Sequence, residues 1–165
     1  MGAASPARAY VGMGANLGDA RKNLMLAAAD IAALPGTLST QLSPFYRSAP
    51  VDAGGPDYVN AVLLVETWTG PEALLQALLD IENHHGRLRP YRNAPRSLDL
   101  DLLLHGNSTR ATPFLTLPHP RMHERAFVLR PLQDLSPDLM LPQGSLPMLL
   151  AACSGQRLEQ LAGLG

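Results

Sequence analysis

Cysteine is nearly absent from this 165-residue chain. Its one cysteine, Cys153, has no partner for an intramolecular disulfide, and residues 1–10 lack the apolar core of a secretory signal. No uninterrupted apolar run approaches the ~20 residues that a membrane-spanning helix needs. We therefore expect a cytoplasmic protein with no membrane partner.

Net charge and aromatic content are also low. Thirteen Lys and Arg residues oppose fourteen Asp and Glu residues, which leaves a formal net charge of -1. No overall positive field attracts nucleic acid, so any anion site must be local. Lysine occurs once, at Lys22, without the glycines of a Walker phosphate loop before it.

Length and apolar content favour one domain over residues 1–165. They do not determine whether residues 1–8 are ordered or disordered. Hydrophobic residues make up 46% of the chain. A chain of this length buries roughly two thirds of its unfolded surface when it folds. We therefore predict a single hydrophobic core region rather than two independent domains.

The hydrophobic pattern predicts strands and helices in the order β, α, β, β, α, β. Two-residue alternation or apolar β-compatible runs predict strands over 10–13, 37–47, 57–67 and 97–104. Helical spacing of apolar residues predicts helices over 19–34 and from the Thr69-Gly70-Pro71-Glu72 capping box to Gly86. Pro44 interrupts the second strand and places it toward a sheet edge.

This order is that of ferredoxin-like domains, in which helices cover one face of an antiparallel sheet. The predicted fold class is therefore α+β, with a ferredoxin-like βαββαβ core. The chain beyond His105 is rich in proline and reads as a C-terminal extension. Within it we predict a short strand over 126–129 and a weak helix over 148–153.

Two aspartates lie in the last predicted strand of the core. Because side chains alternate along a strand, Asp99 and Asp101 point to one face, about 7 Å apart at their Cα atoms. Carboxylate oxygens are ligands that magnesium prefers, and a cation would remove their mutual repulsion. The alternative is a pair of solvated charges on an exposed strand face, and the spacing alone leaves both interpretations open.

Four arginines precede these aspartates, at Arg87, Arg89, Arg92 and Arg96. Carboxylates, magnesium and guanidinium groups suit phosphoryl transfer, where catalysis is mostly positioning and charge neutralisation. The two clusters together predict a polyphosphate site, and the alternative is a solvated basic loop.

Two other patterns do not indicate sites. Gly12, Gly14 and Gly18 miss the spacing of a dinucleotide fingerprint, and a tight turn explains them. His119 and His123 are four residues apart, but Pro120 lies between them and no further ligand cluster accompanies them, so zinc is not expected.

Five ordered stretches carry a family pattern: Gly14-Ala15-Asn16-Leu17-Gly18, Phe45-Tyr46-Arg47-Ser48, Pro56-Asp57-Tyr58-Val59-Asn60-Ala61, Arg96-Ser97-Leu98-Asp99-Leu100-Asp101 and Pro118-His119-Pro120-Arg121-Met122. They span about residues 9–135 and resemble the 6-hydroxymethyl-7,8-dihydropterin pyrophosphokinases. The resemblance implies an enzyme of folate biosynthesis. Such an enzyme transfers the β,γ-pyrophosphoryl unit of ATP to the pterin hydroxymethyl oxygen and releases AMP.

The resemblance also implies residue roles. Asp99 and Asp101 would hold two magnesium ions that bridge the ATP phosphates. ATP contacts carry over to Glu82, Arg87, Arg89, Arg96, Leu102, Thr116, His119 and Arg125. Pterin contacts carry over to Ser48, Ala49, Val51, Tyr58, Asn60, Asp99 and Phe127. Arg87 and Arg96 would neutralise transition-state charge, with Arg92 assisting from its loop.

The chain departs from the family pattern near the pterin. Asn93 stands where many members carry a tryptophan that closes over the pterin, and Ala49 stands where proline is frequent. The implied pterin lid is therefore the part of the site that the resemblance supports least.

Two other functions stay open at this point. A ferredoxin-like sheet can present aromatic side chains to RNA bases, although aromatic residues make up only 5% of this chain and Asp99 and Asp101 would repel a nucleic-acid backbone. A catalytically idle family member is the second alternative. We expect a monomer that binds ATP and the pterin, with no nucleic-acid partner.

Overall fold

The computed structural model describes residues 5–15, 19–48, 57–86 and 98–161. The first part of the chain forms β1 (Ala7–Ala15), α1 (Ala20–Ala32), β2 (Thr37–Leu42), β3 (Tyr46–Ser48), β4 (Tyr58–Thr67), α2 (Pro71–Gly86) and β5 (Asp99–His105). The second part forms β6 (Arg110–Ala111), β7 (Thr116–Leu117), a 3-10 turn (Met122–Glu124), α3 (Ala126–Leu135), β8 (Met140–Leu141), β9 (Gly144–Ser145), α4 (Leu146–Ala152) and β10 (Leu158–Gln160). None of the helices in these ranges is long and apolar enough to cross a membrane.

Local sequence signals account for the ends of α1 and α2. The Asp19 carboxylate accepts a hydrogen bond from the main-chain N–H of Lys22, as an N-cap residue does. Beyond α1, Gly36 adopts φ 89°, and a Cβ atom there would lie 2.5 Å from Oγ1 of Thr69. Helix α2 starts at Pro71, where a missing N–H costs nothing because the first turn has no partner for it.

The main sheet is antiparallel throughout, with the strand order β10-β3-β4-β1-β5 and β2 paired to β4 beside this path. Strand β1 therefore lies between β4 and β5. The predicted strand over 37–47 is divided into β2 and β3, with Pro44 between them. The division follows from proline, which has no N–H to donate to a strand ladder.

Helices α1 and α2 cover one face of the sheet, in agreement with the prediction for the core, and α3 and α4 cover the other face, which the sequence did not predict. Alternate residues of β1 enter two separate cores. Val11 and its neighbours at alternate positions pack against α1 and α2, whereas Tyr10 faces α3 and α4. The Pro-rich C-terminal part is thus the second helical layer, and it buries apolar side chains of β4 and β5 that a single layer would leave in water.

Part of this second layer was predicted with the wrong structure. Residues 126–129 belong to α3 rather than to a short strand. Their apolar run fits either element, and Pro131 inside the helix weakens the helical signal. The predicted weak helix over 148–153 corresponds to α4. Residues 5–8 are described, with β1 beginning at Ala7, whereas residues 1–4 lie outside the described ranges.

Candidate functional site

Glycines of β1 lie between the aspartates of β5 and the polar end of β4. Gly14 is paired with Asp99 on one side and with Asn60 on the other. Gly12 is paired with Asp101 on one side and with Val62 on the other. Directly paired residues share a face of an antiparallel sheet. Gly14 therefore leaves a floor without a side chain between Asn60 and Asp99, about 10 Å across at two strand spacings. The Leu103 side chain lies against Gly12.

This placement corrects the interpretation of Gly12 and Gly14 as turn residues, because both lie within β1. The signal that could have shown their role is their two-residue spacing, which matches the spacing of the two aspartates. The spacing becomes informative only when the register of β1 against β5 is known.

Asn60 and Ser48 form the polar wall on the β4 side. Asn60 Nδ2 donates a hydrogen bond to Ser48 Oγ over 2.7 Å, and both side chains are buried. The bond directs the other amide atom, Oδ1, toward Gly14. Tyr58 is paired with Ser48 and is half-buried. The wall thus presents a fixed acceptor oxygen beside an aromatic ring.

The two aspartates themselves are accessible to a ligand. Asp101 is exposed and Asp99 is partly exposed, and their side chains point to the same face as predicted. Among the described residues, no group of three or more His, Cys, Asp or Glu side chains is arranged to hold a metal ion. Two carboxylates fit magnesium, which commonly takes one or two protein carboxylates and fills its other positions with water and substrate phosphates.

Glu82 and Leu102 lie at the outer edge of β5. Glu82 Oε2 accepts a hydrogen bond from the main-chain N–H of Leu100 over 2.6 Å, so this N–H points away from β1. By alternation, the main-chain groups of Leu102 point to the same edge. The Leu102 side chain is buried in the core beneath α1 and α2. A ligand at this edge would meet Leu102 through its main chain.

His119 holds the loop before the 3-10 turn against β5. Its main-chain N–H donates to the carbonyl of Leu103 over 2.9 Å, and its Nδ1 accepts from the N–H of Arg121 over 3.2 Å. Burial lowers the pKa of the His119 imidazole, an effect that Asp101 opposes and that Arg125 and Arg121 reinforce. His119 is therefore neutral at pH 7, with its proton on Nε2.

Arg125 and Phe127 stand at the start of α3. The Arg125 Cζ atom lies 5.7 Å from the centroid of the Phe127 ring, which is a cation–π distance. Phe127 is partly buried against the second core. Thr116 is exposed on β7, a strand that contacts β5. Arg125, which is predicted to contact ATP, and Phe127, which is predicted to contact the pterin, are therefore direct neighbours.

The remaining predicted site residues lie outside the described residues. In the segment between β3 and β4 these are Ala49 and Val51, and in the segment between α2 and β5 they are Arg87, Arg89, Arg92 and Arg96. Asn93, the departure from the family pattern, falls in the same segment. Their roles stay predictions from the sequence.

One relevant side chain was not predicted at all. Gln156, in the turn after α4, makes hydrogen bonds to the main chain on both sides of Arg125. It lies 30 residues away in sequence from Ala126. No local motif surrounds it, so only the packing of α4 against α3 reveals this contact.

Solved structures similar to this chain agree in fold. A structure entitled as HPPK-DHPS in complex with substrates superposes with a TM-score of 0.66 at 13% identity. The match covers 89% of this chain and 43% of the other, so this chain spans less than half of that protein. HPPK-DHPS of Plasmodium falciparum with pteroate also gives a TM-score of 0.66, at 13% identity, over 92% of this chain and 43% of the other. At this identity the likeness concerns the fold alone.

Sequence comparison gives the family. The 2-amino-4-hydroxy-6-hydroxymethyldihydropteridine pyrophosphokinase of Pseudomonas aeruginosa is 46% identical over 158 residues, covering 94% of this chain and 98% of the relative. The protein of the same name from Haemophilus influenzae is 42% identical over 139 residues, covering 84% and 87%. The model of the 7,8-dihydro-6-hydroxymethylpterin-pyrophosphokinase (HPPK) family matches residues 10–137. The chain belongs to this family.

Proposed function

We propose that this chain transfers the β,γ-pyrophosphoryl unit of ATP to the hydroxymethyl oxygen of 6-hydroxymethyl-7,8-dihydropterin and releases AMP, as a step of folate biosynthesis. One observation carries the proposal beyond family membership. Asn60 and Asp99 face each other across the side-chain-free floor at Gly14. A flat heterocycle on that floor would have a polar partner at one edge and the carboxylates at the other.

The pterin would lie against β4 and the start of α3. Asn60 Oδ1 can accept from a ring N–H, because the bond to Ser48 already fixes the orientation of the amide. Tyr58 and Phe127 supply aromatic surface, as concave sites for flat ligands usually do. Ala49 and Val51 would complete this pocket from the segment between β3 and β4.

Asp99 and Asp101 would hold magnesium, two ions by the family resemblance. When bound, magnesium neutralises phosphate charge and makes the β-phosphorus more electrophilic. Asp99 and Asp101 would hold the metal across the floor from Asn60, next to the pterin. In the transfer, the hydroxymethyl oxygen bonds to the β-phosphorus, the bond from that phosphorus to the α,β-bridging oxygen breaks, AMP leaves and the hydroxyl proton is released.

The nucleotide would lie along the outer edge of β5. Leu102 offers main-chain groups there, and neutral His119 can donate a hydrogen bond from Nε2. Arg125 supplies a positive charge, and Thr116 and Glu82 flank the same edge. Arg87, Arg89 and Arg96 would neutralise the phosphates, with Arg92 assisting, since planar guanidinium donors match phosphate oxygens.

We extend the proposal to the topology of the core, the oligomeric state and the location of the protein. The order β5-β1-β4-β2 of the four long antiparallel strands supports a ferredoxin-like core. A monomeric cytoplasmic enzyme with ATP and the pterin as its partners remains our expectation.

The decisive experiment is nucleotide product analysis. The protein is mixed with ATP, magnesium and 6-hydroxymethyl-7,8-dihydropterin, and parallel reactions omit the pterin or add a chelator. We expect AMP only in the complete mixture. ADP as product would refute pyrophosphoryl transfer, and binding of both substrates without turnover would identify a catalytically idle family member.

A further inference from the structure

The main chain at Arg125 is held from both sides by one distant side chain. Gln156 Oε1 accepts a hydrogen bond from the N–H of Ala126 over 2.9 Å. Its Nε2 donates to the carbonyl of Glu124 over 2.8 Å. The two bonds bracket Arg125, which connects the 3-10 turn to α3 in an extended conformation with φ -122° and ψ 112°.

This bracket replaces a conventional helix cap. The first N–H groups of a helix have no partner inside it, and an N-cap side chain usually satisfies one of them. Arg125 occupies the N-cap position of α3 but makes no side-chain cap bond. A guanidinium has no acceptor atom, and Gln156 supplies the acceptor instead. The Arg125 guanidinium lies over the Phe127 ring.

Gln156 is itself well anchored. Its N–H donates to the carbonyl of Cys153 over 2.9 Å, and Cys153 is buried at the end of α4. Two residues later, Leu158 is paired with Ser48 on β3. The side chain therefore projects from a turn that is fixed on both sides, and it can impose its geometry on Arg125.

We propose that Gln156 is a positioning residue that fixes the Arg125 main chain and thereby directs the Arg125 guanidinium to the nucleotide. The inference rests on the proposed function, in which Arg125 contacts ATP. Gln156 lies beyond the residues 10–137 that the family model matches. Its role follows from the two bonds on either side of Arg125.

The test compares Gln156→Ala with Gln156→Glu, which keeps an acceptor for Ala126 but loses the donor to Glu124. Gln143→Ala is the matched control, because it removes the same side chain from an exposed position in the turn between β8 and β9. Affinity for α,β-methylene ATP with magnesium and affinity for the pterin are measured by calorimetry, beside KM for each substrate and the melting temperature.

We expect Gln156→Ala to weaken nucleotide binding about tenfold and to affect pterin affinity less. The loss of nucleotide affinity in Gln156→Glu should be intermediate. In an Arg125→Ala background the same change should have little further effect on nucleotide affinity, because residues that act together are not additive. Equal losses in both backgrounds, equal losses for both ligands, or a lower melting temperature with unchanged affinities would overturn the proposal.

The binding measurements separate this inference from the proposed function. A wild-type protein that binds both ligands but forms no AMP refutes the proposed reaction, while the affinities of the variants still decide the role of Gln156. A wild-type protein that binds no nucleotide overturns both.

Discussion

A Cβ atom at Gly14 would lie 3.2 Å from Oδ1 of Asn60, so the missing side chain of one residue determines where the amide of the other can lie. The amide oxygen points toward β1 because Nδ2, on the opposite side of the amide, is bound to Ser48 of β3. Across β1, Asp99 is paired with the same glycine. Gly14 thus separates Asn60, which we propose contacts the pterin, from Asp99, which we propose binds the metal.

Gly14→Ala should therefore raise KM for the pterin. The new methyl group would push against the Asn60 amide, which is buried and tied to Ser48, and a misplaced polar contact costs about tenfold or more in affinity. Gly70→Ala is the control, since a Cβ atom at Gly70 meets no heavy atom within 4 Å. Steady-state kinetics with both substrates checks the prediction, and an unchanged pterin KM would contradict the placement of the pterin on this floor.

Asp99→Asn and Asp101→Asn should each lower kcat by at least about a hundredfold, because each replaces a carboxylate that we propose as a metal ligand by a neutral amide. The fold should persist, since Asp101 is exposed and Asp99 partly so. Turnover and melting temperature are measured together over a range of magnesium concentrations. Asp138→Asn, at an exposed position after α3, is the control. Near-normal turnover in either site variant would remove the metal assignment.

Acid should destabilise the protein partly through His119. Burial lowers the pKa of this imidazole, so the unfolded chain takes up a proton that the folded chain resists. The contribution of His119 is present above the unfolded pKa of about 6.5 and is lost as pH falls through and below that value. Urea unfolding of the wild type between about pH 7.5 and 5 should show a steeper loss than His119→Gln. Equal slopes in the wild type and in His119→Gln would contradict the prediction.

Alkali should act through Tyr46, whose buried hydroxyl group donates a hydrogen bond to Asp134 of α3. Burial, with Asp134, raises the pKa of Tyr46 to about 12. The stabilisation is therefore present below the unfolded pKa of about 10 and is lost as pH rises through the folded value. Tyr46→Phe should lose about 1 kcal/mol at neutral pH and lack this alkaline loss. The free energy of unfolding is measured with denaturant at neutral pH and at a pH above the unfolded tyrosine pKa of about 10, with Tyr58→Phe as the control. Equal losses of stability at alkaline pH in the wild type and in Tyr46→Phe would refute the prediction.

Local pattern was sufficient for the first part of the fold. The predicted helices over 19–34 and up to Gly86 and the strands over 57–67 and 97–104 are confirmed within a few residues, because alternation, capping residues and glycine stops act over short distances. The same pattern failed for α3, where an apolar run next to Pro131 has no clear period.

For the site, the sequence alone determined that two carboxylates share a strand face, and the string around them carried the family resemblance. Only the tertiary structure decided that Gly14 forms a floor beside those carboxylates, that helices cover both sheet faces, and that Gln156 brackets Arg125. Strand register and contacts between distant elements depend on how whole faces pack, and no short stretch of sequence specifies that packing.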